Sequence, residues 1–232
     1  MIRLRRRSAY TEIVLARPER RNALRPADLT ALESAIAEAT APVLYLRGAG
    51  DAFCAGADLD VVADLDADAA AAFAAHGQRV ANALATYDGA VVAGIDGAAR
   101  GGGLELALAC DVRVATPKAT LAEPGVELGL FGAWGGTTRL PAIVGQGNAM
   151  DLGLSGRVVD AAEARTMGLV SRVTDSPEAV AAEIGGNDPA AVRAVTARTR
   201  DGRERQSQER AEAAAFADLV AGGAVDRLNR NR

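Results

Sequence analysis

The amino-acid sequence predicts an α/β fold with parallel strand pairing and a helical layer at its C-terminal end. Short apolar segments typical of buried strands alternate with helix-like segments over residues 1–175. Beyond Pro177 the chain is helical in character, with no further strand pattern. The 232 residues are 49% hydrophobic and 24% charged, so the chain is long and apolar enough to bury a substantial core.

Strands are predicted where short β-rich runs are bounded by glycine or polar residues. The first segment, Ile2 to Arg7 followed by Tyr10 to Leu15, alternates polar and apolar residues as a hairpin does. The further predicted strands are Val43–Leu46, Ala90–Ile95, Val112–Ala115, Thr120–Leu121 and Val170–Val173. The glycine-rich, polar stretch Gly48–Asp58 is predicted to be a loop.

Helices are predicted where apolar residues recur at helical spacing. The first opens at Pro26, because proline suits a first turn, and an alanine-rich helix spans Ala67–Thr86. The remaining predicted helices are Gly101–Cys110, Trp134–Val144, two short ones through Met150 and Ala164, Ala190–Arg200 and Arg203–Leu219.

Composition excludes several classes of function. The net charge is −4 with scattered positive charges, so neither a nucleic-acid-binding surface nor a nucleic-acid partner is expected. The longest apolar run, Gly89–Ile95, is far shorter than the roughly 20 residues that span a bilayer. Two cysteines and one histidine exclude a zinc ribbon and a disulfide framework. We expect a soluble cytoplasmic protein with no membrane partner and no metal.

Two glycine-containing turns, Asp51–Leu59 and Asp96–Leu106, each follow an apolar strand. Glycine lets the backbone approach a ligand, and a helix start offers unpaired N–H groups. Two such turns brought together could point two N–H groups at one oxygen, as in an oxyanion hole. Taken alone, a triple glycine more often reflects tight packing, and the spacing fits neither a dinucleotide fingerprint nor a P-loop.

Four motifs in a fixed order carry more information than either turn. They are Arg17–Leu24 (RPERRNAL), Phe53–Leu59 (FCAGADL), Gly101–Leu106 (GGGLEL) with Cys110-Asp111, and Leu128-Gly129 with Gly135–Leu140 (GGTTRL). In order and spacing the chain resembles the enoyl-CoA hydratase/isomerase (crotonase) family, from about Tyr10 to Phe216. The resemblance implies a crotonase-like spiral of ββα turns over residues 1–185. It also implies that residues 186–232 form a C-terminal helical trimerisation region, and that the protein is a homotrimer or a dimer of trimers.

The resemblance also implies a site for a coenzyme A thioester, which enters as the substrate, so that no cofactor is called for. The amides of Ala57 and Gly102 are then expected to polarise the thioester carbonyl. The other substrate-binding candidates are Ala55, Gly56, Asp58, Leu59, Gly101 and Trp134.

Glu105 lies in the first turn of a predicted helix, two residues beyond Gly103. A carboxylate there could move a proton to or from carbon 2 or 3 of the acyl chain. Its structural alternative is a glutamate that complements the helix dipole. With the family pattern beside it, we interpret Glu105 as catalytic.

The sequence departs from the hydratase pattern at the expected second glutamate, because Pro124 is followed by Gly125. Glu123 and Glu127 lie two residues to either side and could share a strand face with Gly125. Either is a candidate acid or base, although we expect both to face solvent or to pair with arginines.

The leading hypothesis is therefore a 2-enoyl-CoA hydratase, which adds water to trans-2-enoyl-CoA. One carboxylate suffices to move a proton between carbons, so a 3-enoyl/2-enoyl-CoA isomerase or an acyl-CoA decarboxylase is the alternative. A third hypothesis is a catalytically silent acyl-CoA-binding subunit.

Other polar candidates have structural interpretations. His76 is expected on a helix surface or in packing, and Cys54 and Cys110 are expected to be small buried hydrophobes. The arginines between residues 193 and 205 are expected to form mostly a solvated helical face.

Overall fold

The computed structural model describes residues 1–224 of the chain. Within them the strands are β1 (Ile2–Arg6), β2 (Thr11–Leu15), β3 (Val43–Gly48), β4 (Ala52–Cys54), β5 (Ala90–Ile95), β6 (Ala98–Arg100), β7 (Val112–Ala115), β8 (Thr120–Ala122), β9 (Val159–Asp160) and β10 (Arg172–Val173).

The α-helices of the described residues are α1 (Pro26–Glu38), α2 (Leu59–Ala63), α3 (Ala67–Ala85), α4 (Gly102–Leu108), α5 (Gly136–Ser155), α6 (Ala161–Thr166), α7 (Pro177–Gly185), α8 (Pro189–Arg200) and α9 (Arg205–Leu219). Two 3-10 helices span Pro18–Arg20 and Pro124–Leu128, and a π-helical turn spans Val220–Ala224.

The strands form two sheets whose connections make a spiral of ββα turns. The larger sheet has the order β1-β2-β3-β5-β7-β10, and the smaller sheet has the order β4-β6-β8-β9. Each of β3, β5 and β7 is followed by a short strand of the smaller sheet and then by a helix. The neighbours are parallel except for β1 with β2 and β8 with β9. The predicted α/β class is confirmed.

The central strands of the larger sheet are buried on both faces. Side chains along a strand point alternately to its two faces, so the neighbours of successive residues show what covers each face. On β3, Leu44 and Leu46 pack in a cluster with α1 and α3, whereas Val43 and Tyr45 pack in a second cluster with α7. Because helices cover both faces of these central strands, their sequences are short apolar runs rather than alternating polar and apolar residues.

Several predicted boundaries were wrong. The predicted loop Gly48–Asp58 contains β4, and β6 lies just before the triple glycine. β4 and β6 are each three residues long, and they pair with each other. Strands this short were not predictable locally, because the larger sheet brings them together. The predicted last strand is shorter, at Arg172–Val173. In α5, the predicted break before Met150 is present, because Gly145 has non-helical angles (φ +78°).

Helix α8 is anchored to the sheet by Arg200, which corrects the expectation of a solvated arginine face there. Its guanidinium donates to Asp111 Oδ2 at 2.6 Å and Oδ1 at 2.8 Å, and to the carbonyls of Tyr87 and Gly89. Helix α9 buries none of its residues. No helix among the described residues is long and apolar enough to cross a bilayer.

Candidate active site

The first glycine-containing turn is held by backbone pairing with Leu24. The Leu24 amide donates to the Gly56 carbonyl at 2.8 Å, and the Asp58 amide donates to the Leu24 carbonyl at 2.9 Å. These bonds fix the residues on both sides of Ala57. Among the described residues, the Ala57 N–H has no acceptor.

The second turn ends where α4 begins, at Gly102. A helix leaves its first N–H groups without intrahelical partners, and the Gly102 N–H has no acceptor among the described residues. Gly56 adopts φ +89°, and a Cβ there would lie 2.9 Å from the Gly102 nitrogen. The absent side chain therefore lets the two turns touch. Ala57 and Gly102 line one cavity, where two unpaired backbone donors could serve one oxygen.

Asn22, which the sequence reasoning did not single out, braces this arrangement. Its Nδ2 donates to the Ala49 carbonyl at 2.9 Å and to the Ala52 carbonyl at 2.8 Å, and its Oδ1 accepts from the Arg17 amide. Arg17 in turn binds the buried Asp58 at 2.6 Å, and this hydrogen bond lowers the pKa of the Asp58 carboxyl. The loop that carries Ala57 is therefore held from two sides.

Glu105 is 1% exposed and projects from the first turn of α4 toward the start of α5. Its Oε1 accepts from the Trp134 amide at 2.8 Å and from the Gly136 amide at 2.6 Å. Burial raises the pKa of Glu105, while these two N–H groups and the charge of Arg139 act in the opposite direction. The two hydrogen bonds thus fix the orientation of the Glu105 carboxyl group and offset part of the cost of removing its charged form from water.

Glu123 contradicts the expectation that it faces solvent or pairs with an arginine. It precedes the 3-10 helix Pro124–Leu128 rather than lying on a strand with Gly125, and it is 7% exposed. Among the described residues, neither carboxyl oxygen has a hydrogen-bond partner. Burial, and then the charge of Glu105, raise the pKa of Glu123 to about 9. Both effects favour the protonated, neutral form of this carboxyl group.

The two glutamates converge on Gly132. A Cβ at Gly132 would lie 2.9 Å from Glu105 Cδ and 2.9 Å from Glu123 Oε2. The two carboxyl groups therefore flank the same point. When one of two adjacent carboxyl groups is protonated and the other is ionised, the pair can both donate and accept a proton.

Gly125 and Glu127 do not contribute a carboxylate to this point. A side chain at Gly125 would begin 3.0 Å from the Cα atom of Phe131, so the backbone of the following loop closes that position. The side chain of Glu127 is exposed, and it lies close to Gly156 instead of lining the cavity. The proposed acid–base role of Glu127 therefore has no support from its position.

The cavity between the glycine turns and the glutamates has a volume of about 260 Å³. Of the residues singled out from the sequence, those that line it are Ala55, Ala57, Leu59, Gly101, Gly102, Glu105, Glu123 and Trp134. Gly56 and Asp58 belong to the same turn but do not line the cavity. The large apolar lining residues that the sequence did not identify are Val62, Leu65, Phe73, Leu128, Leu130 and Phe131, because their apolar pattern does not differ from that of core residues.

The remaining polar candidates lie outside the cavity. His76 faces Glu33 of α1 at 3.7 Å. Cys54 and Cys110 are buried, and burial raises the pKa of each thiol to about 12, so neither is a nucleophile at neutral pH. In the part of the chain that the structure describes, no group of three or more His, Cys, Asp or Glu side chains is placed to hold a metal ion.

The chain is similar to known proteins along nearly its whole length. The family model described as enoyl-CoA hydratase/isomerase matches residues 5–219. The protein YngF of Bacillus subtilis (strain 168) is 40% identical over 192 residues, which are 78% of this chain and 74% of YngF. A crotonyl-CoA hydratase of Syntrophomonas wolfei is 37% identical over 157 residues, which are 66% of this chain and 60% of that protein.

The fold is also that of solved structures. The crystal structure of an enoyl-CoA hydratase from Bacillus anthracis matches with a TM-score of 0.92 and 30% sequence identity, covering 100% of this chain and 96% of that chain.

Proposed function

Because this chain belongs to the enoyl-CoA hydratase/isomerase family, we propose that it adds water to the double bond of trans-2-enoyl-CoA thioesters. The observation that carries this proposal is the convergence of Glu105 and Glu123 on one point of the cavity that Ala57 and Gly102 also line. The substrate brings its own activating group, since the thioester carbonyl withdraws electrons from the double bond.

The backbone donors act on that carbonyl. As water adds to carbon 3, negative charge collects on the thioester oxygen, and the N–H groups of Ala57 and Gly102 bind it there. They are fixed before the reaction begins, so they stabilise the enolate more than the neutral ground state. One such donor is typically worth about 3–4 kcal/mol in the transition state.

The two glutamates divide the proton transfers. Glu105, whose carboxylate is held by two N–H groups, takes a proton from water as the water oxygen bonds to carbon 3. The electron pair of the double bond moves toward carbon 2 and the carbonyl. Glu123, a neutral acid, then gives its proton to carbon 2. Transfer of one proton from Glu105 to Glu123 restores the starting state.

The unpartnered carboxyl of Glu123 favours hydration over the single-carboxylate alternatives. Leaving a buried polar group without a hydrogen bond costs about 1–3 kcal/mol, so such a group calls for a functional explanation. A water molecule held between Glu105 and Glu123 would supply the missing partner. Moving a proton between two carbons, by contrast, needs one carboxylate and leaves Glu123 unexplained.

The test is hydration of crotonyl-CoA, followed by loss of the enoyl-thioester absorbance. Glu105→Gln and Glu123→Gln should each lower kcat by at least about a hundredfold, with the fold checked by circular dichroism. Turnover of 3-enoyl-CoA without hydration of 2-enoyl-CoA would instead select the isomerase. Tight acyl-CoA binding without turnover of any thioester would select the silent subunit.

We also propose that the C-terminal region mediates assembly into trimers, as the family resemblance implies. Val195 on α8 and Phe216 on α9 are 66% and 70% exposed, and α9 buries none of its residues. Apolar side chains on such a face are suited to burial against another subunit. Residues 225–232, which complete the proposed region, lie outside the described residues. The trimer or hexamer is measurable by light scattering, and the cytoplasmic location stays a prediction.

A further inference from the structure

We propose that this site selects acyl chains that are hydrocarbon throughout and rejects chains that carry a carboxylate. The inference rests on the proposed hydratase function and deepens it by naming the class of acyl group. It depends on the charges around the cavity rather than on the two backbone donors.

The cavity offers an acyl chain apolar contacts and no positive charge. Among the described residues that line it, the ionisable ones are Glu105 and Glu123, and both are acids. The large side chains that line the cavity are apolar and include Val62, Leu65, Phe73, Leu130, Phe131 and Trp134. A hydrocarbon chain is therefore complementary to this wall, because each buried methylene is worth about 0.8 kcal/mol.

Three arginines that adjoin or contact the segments lining the cavity are bonded to other partners. Arg139 donates to the Trp134 carbonyl at 3.1 Å and to Asn82 Oδ1 at 2.6 Å, and Arg100 donates to the Thr120 carbonyl at 2.6 Å. Arg17 binds Asp58. None of these three side chains lines the cavity.

The space beyond the glutamates has the same character. A second cavity of about 300 Å³ shares the lining residues Glu123, Phe131 and Gly132 with the first, so the two cavities adjoin at these residues. Its other lining residues, Leu140 and Met150 among them, include no Lys, Arg or His within the described part of the chain. A longer acyl tail that passed Phe131, which is 71% exposed, would therefore also meet no cation.

A carboxylate on the acyl chain would meet two unfavourable conditions here. It would lose water to an apolar wall, which is costly for an unpaired charge. It would also add negative charge beside Glu105 and raise the pKa of both glutamates further. Like charges placed together without a counter-ion are a common source of discrimination between ligands.

The experiment compares two thioesters that differ only at carbon 5. trans-2-Pentenoyl-CoA ends in a methyl group, and glutaconyl-CoA has a carboxylate in its place. We expect kcat/KM to favour pentenoyl-CoA by at least about a hundredfold. The saturated analogues pentanoyl-CoA and glutaryl-CoA, used as competitive inhibitors, should show the same order in binding.

A matched pair of variants tests the electrostatic cause. Leu130 lines the cavity and is 46% exposed, so a longer polar side chain can be accommodated there. Leu130→Arg should reduce the preference for pentenoyl-CoA by at least about tenfold relative to Leu130→Gln, which removes the same apolar contact without adding charge.

The outcomes separate this inference from the proposed function. If neither thioester is hydrated, the hydratase proposal itself fails. If both are hydrated with kcat/KM values within about threefold, hydration stands and the inference is overturned. Equal preference in the Leu130→Arg and Leu130→Gln variants would also overturn it, because charge would then not be the selecting property.

Discussion

The indole ring of Trp134 lies against the backbone of Gly77, where α3 passes the candidate site. A Cβ at Gly77 would overlap Cδ1 and Cγ of the ring, and a Cβ at Gly102 would lie 2.5 Å from its Cε3 atom. Phe73 meets the ring edge-on, with the centroids 5.7 Å apart. The ring is thus wedged between the helix α3 and the turn that supplies the Gly102 amide, and it helps to fix both.

Gly77→Ala should destabilise the protein by about 1–3 kcal/mol through overpacking against Trp134. In an open helix the same change stabilises by up to about 1 kcal/mol. Trp134 is the one tryptophan of the chain, so its displacement should also shift the fluorescence emission. Urea unfolding and emission spectra measure the two effects.

Gly147→Ala is the matched control, since it lies in α5 and its Cβ would meet nothing within 4 Å. It should leave the emission unchanged and leave the stability equal or higher. A Gly77→Ala protein with the stability and emission of the wild type would show that the ring is not held as described.

Gly132→Ala should lower kcat at least tenfold while the chain stays folded. The new Cβ would lie 2.9 Å from both Glu105 Cδ and Glu123 Oε2, so the carboxyl groups must move apart. A misplacement of about 1 Å at reacting groups can cost about a hundredfold in rate. Steady-state kinetics on crotonyl-CoA measure this, with Gly147→Ala again as the control. Unchanged kcat in Gly132→Ala would mean that the two glutamates do not act at this point.

The rate of hydration should fall as the pH rises through about 9, because Glu123 must be protonated to donate to carbon 2. Initial rates of crotonyl-CoA hydration between pH 6 and 10 measure this limb of the profile. In Glu123→Gln the low residual rate should lose that limb. A wild-type profile that stays flat to pH 10 would contradict the assignment of Glu123 as the acid.

Glu123 should also make the free energy of unfolding fall with pH. Its pKa in the folded protein, about 9, lies above the ordinary value of 4.5, so the folded state binds the extra proton between these values. The contribution is fully present below about pH 4.5 and is lost as the pH rises through about 9. The slope from this one group is at most about 1.4 kcal/mol per pH unit.

Glu123→Gln carries no titrating group at that position, so its stability relative to the wild type should rise between pH 5.5 and pH 8. Denaturant unfolding of both proteins at the two pH values gives this difference. A constant difference between them would mean that Glu123 has an ordinary pKa in the folded state.

The sequence allowed the fold class to be predicted from local patterns, and the family resemblance supplied the candidate site residues. The apolar runs of β3, β5 and β7 predicted buried parallel strands. The glycine turns after β3 and β5 predicted backbone donors, and the family resemblance identified them as the amides of Ala57 and Gly102. Spacing placed Glu105 in the first turn of α4, whereas its catalytic role was inferred from the family resemblance and stays a prediction.

The position of Glu123 could not be predicted in the same way. Its direction depends on whether Pro124–Leu128 continues a strand or forms a 3-10 helix, and both agree with the local sequence. The backbone of Phe131 leaves no space for a side chain at Gly125. Phe131 follows only six residues later, but its position depends on the conformation of the loop before α5. Trp134 could be core or interface until Gly77, 57 residues earlier in the chain, was seen to face it.

The sequence by itself determined the α/β class and the central apolar strands, which follow from spacing within a few residues, and its motifs identified the family from which the roles of Ala57, Gly102 and Glu105 were inferred. Only the tertiary structure placed the buried Glu123 beside Glu105, raised the pKa of its carboxyl group, and gathered around both a cavity with no cation among its described lining residues. These properties arise from burial and from which distant groups are brought together, and neither is written in any single segment of the chain.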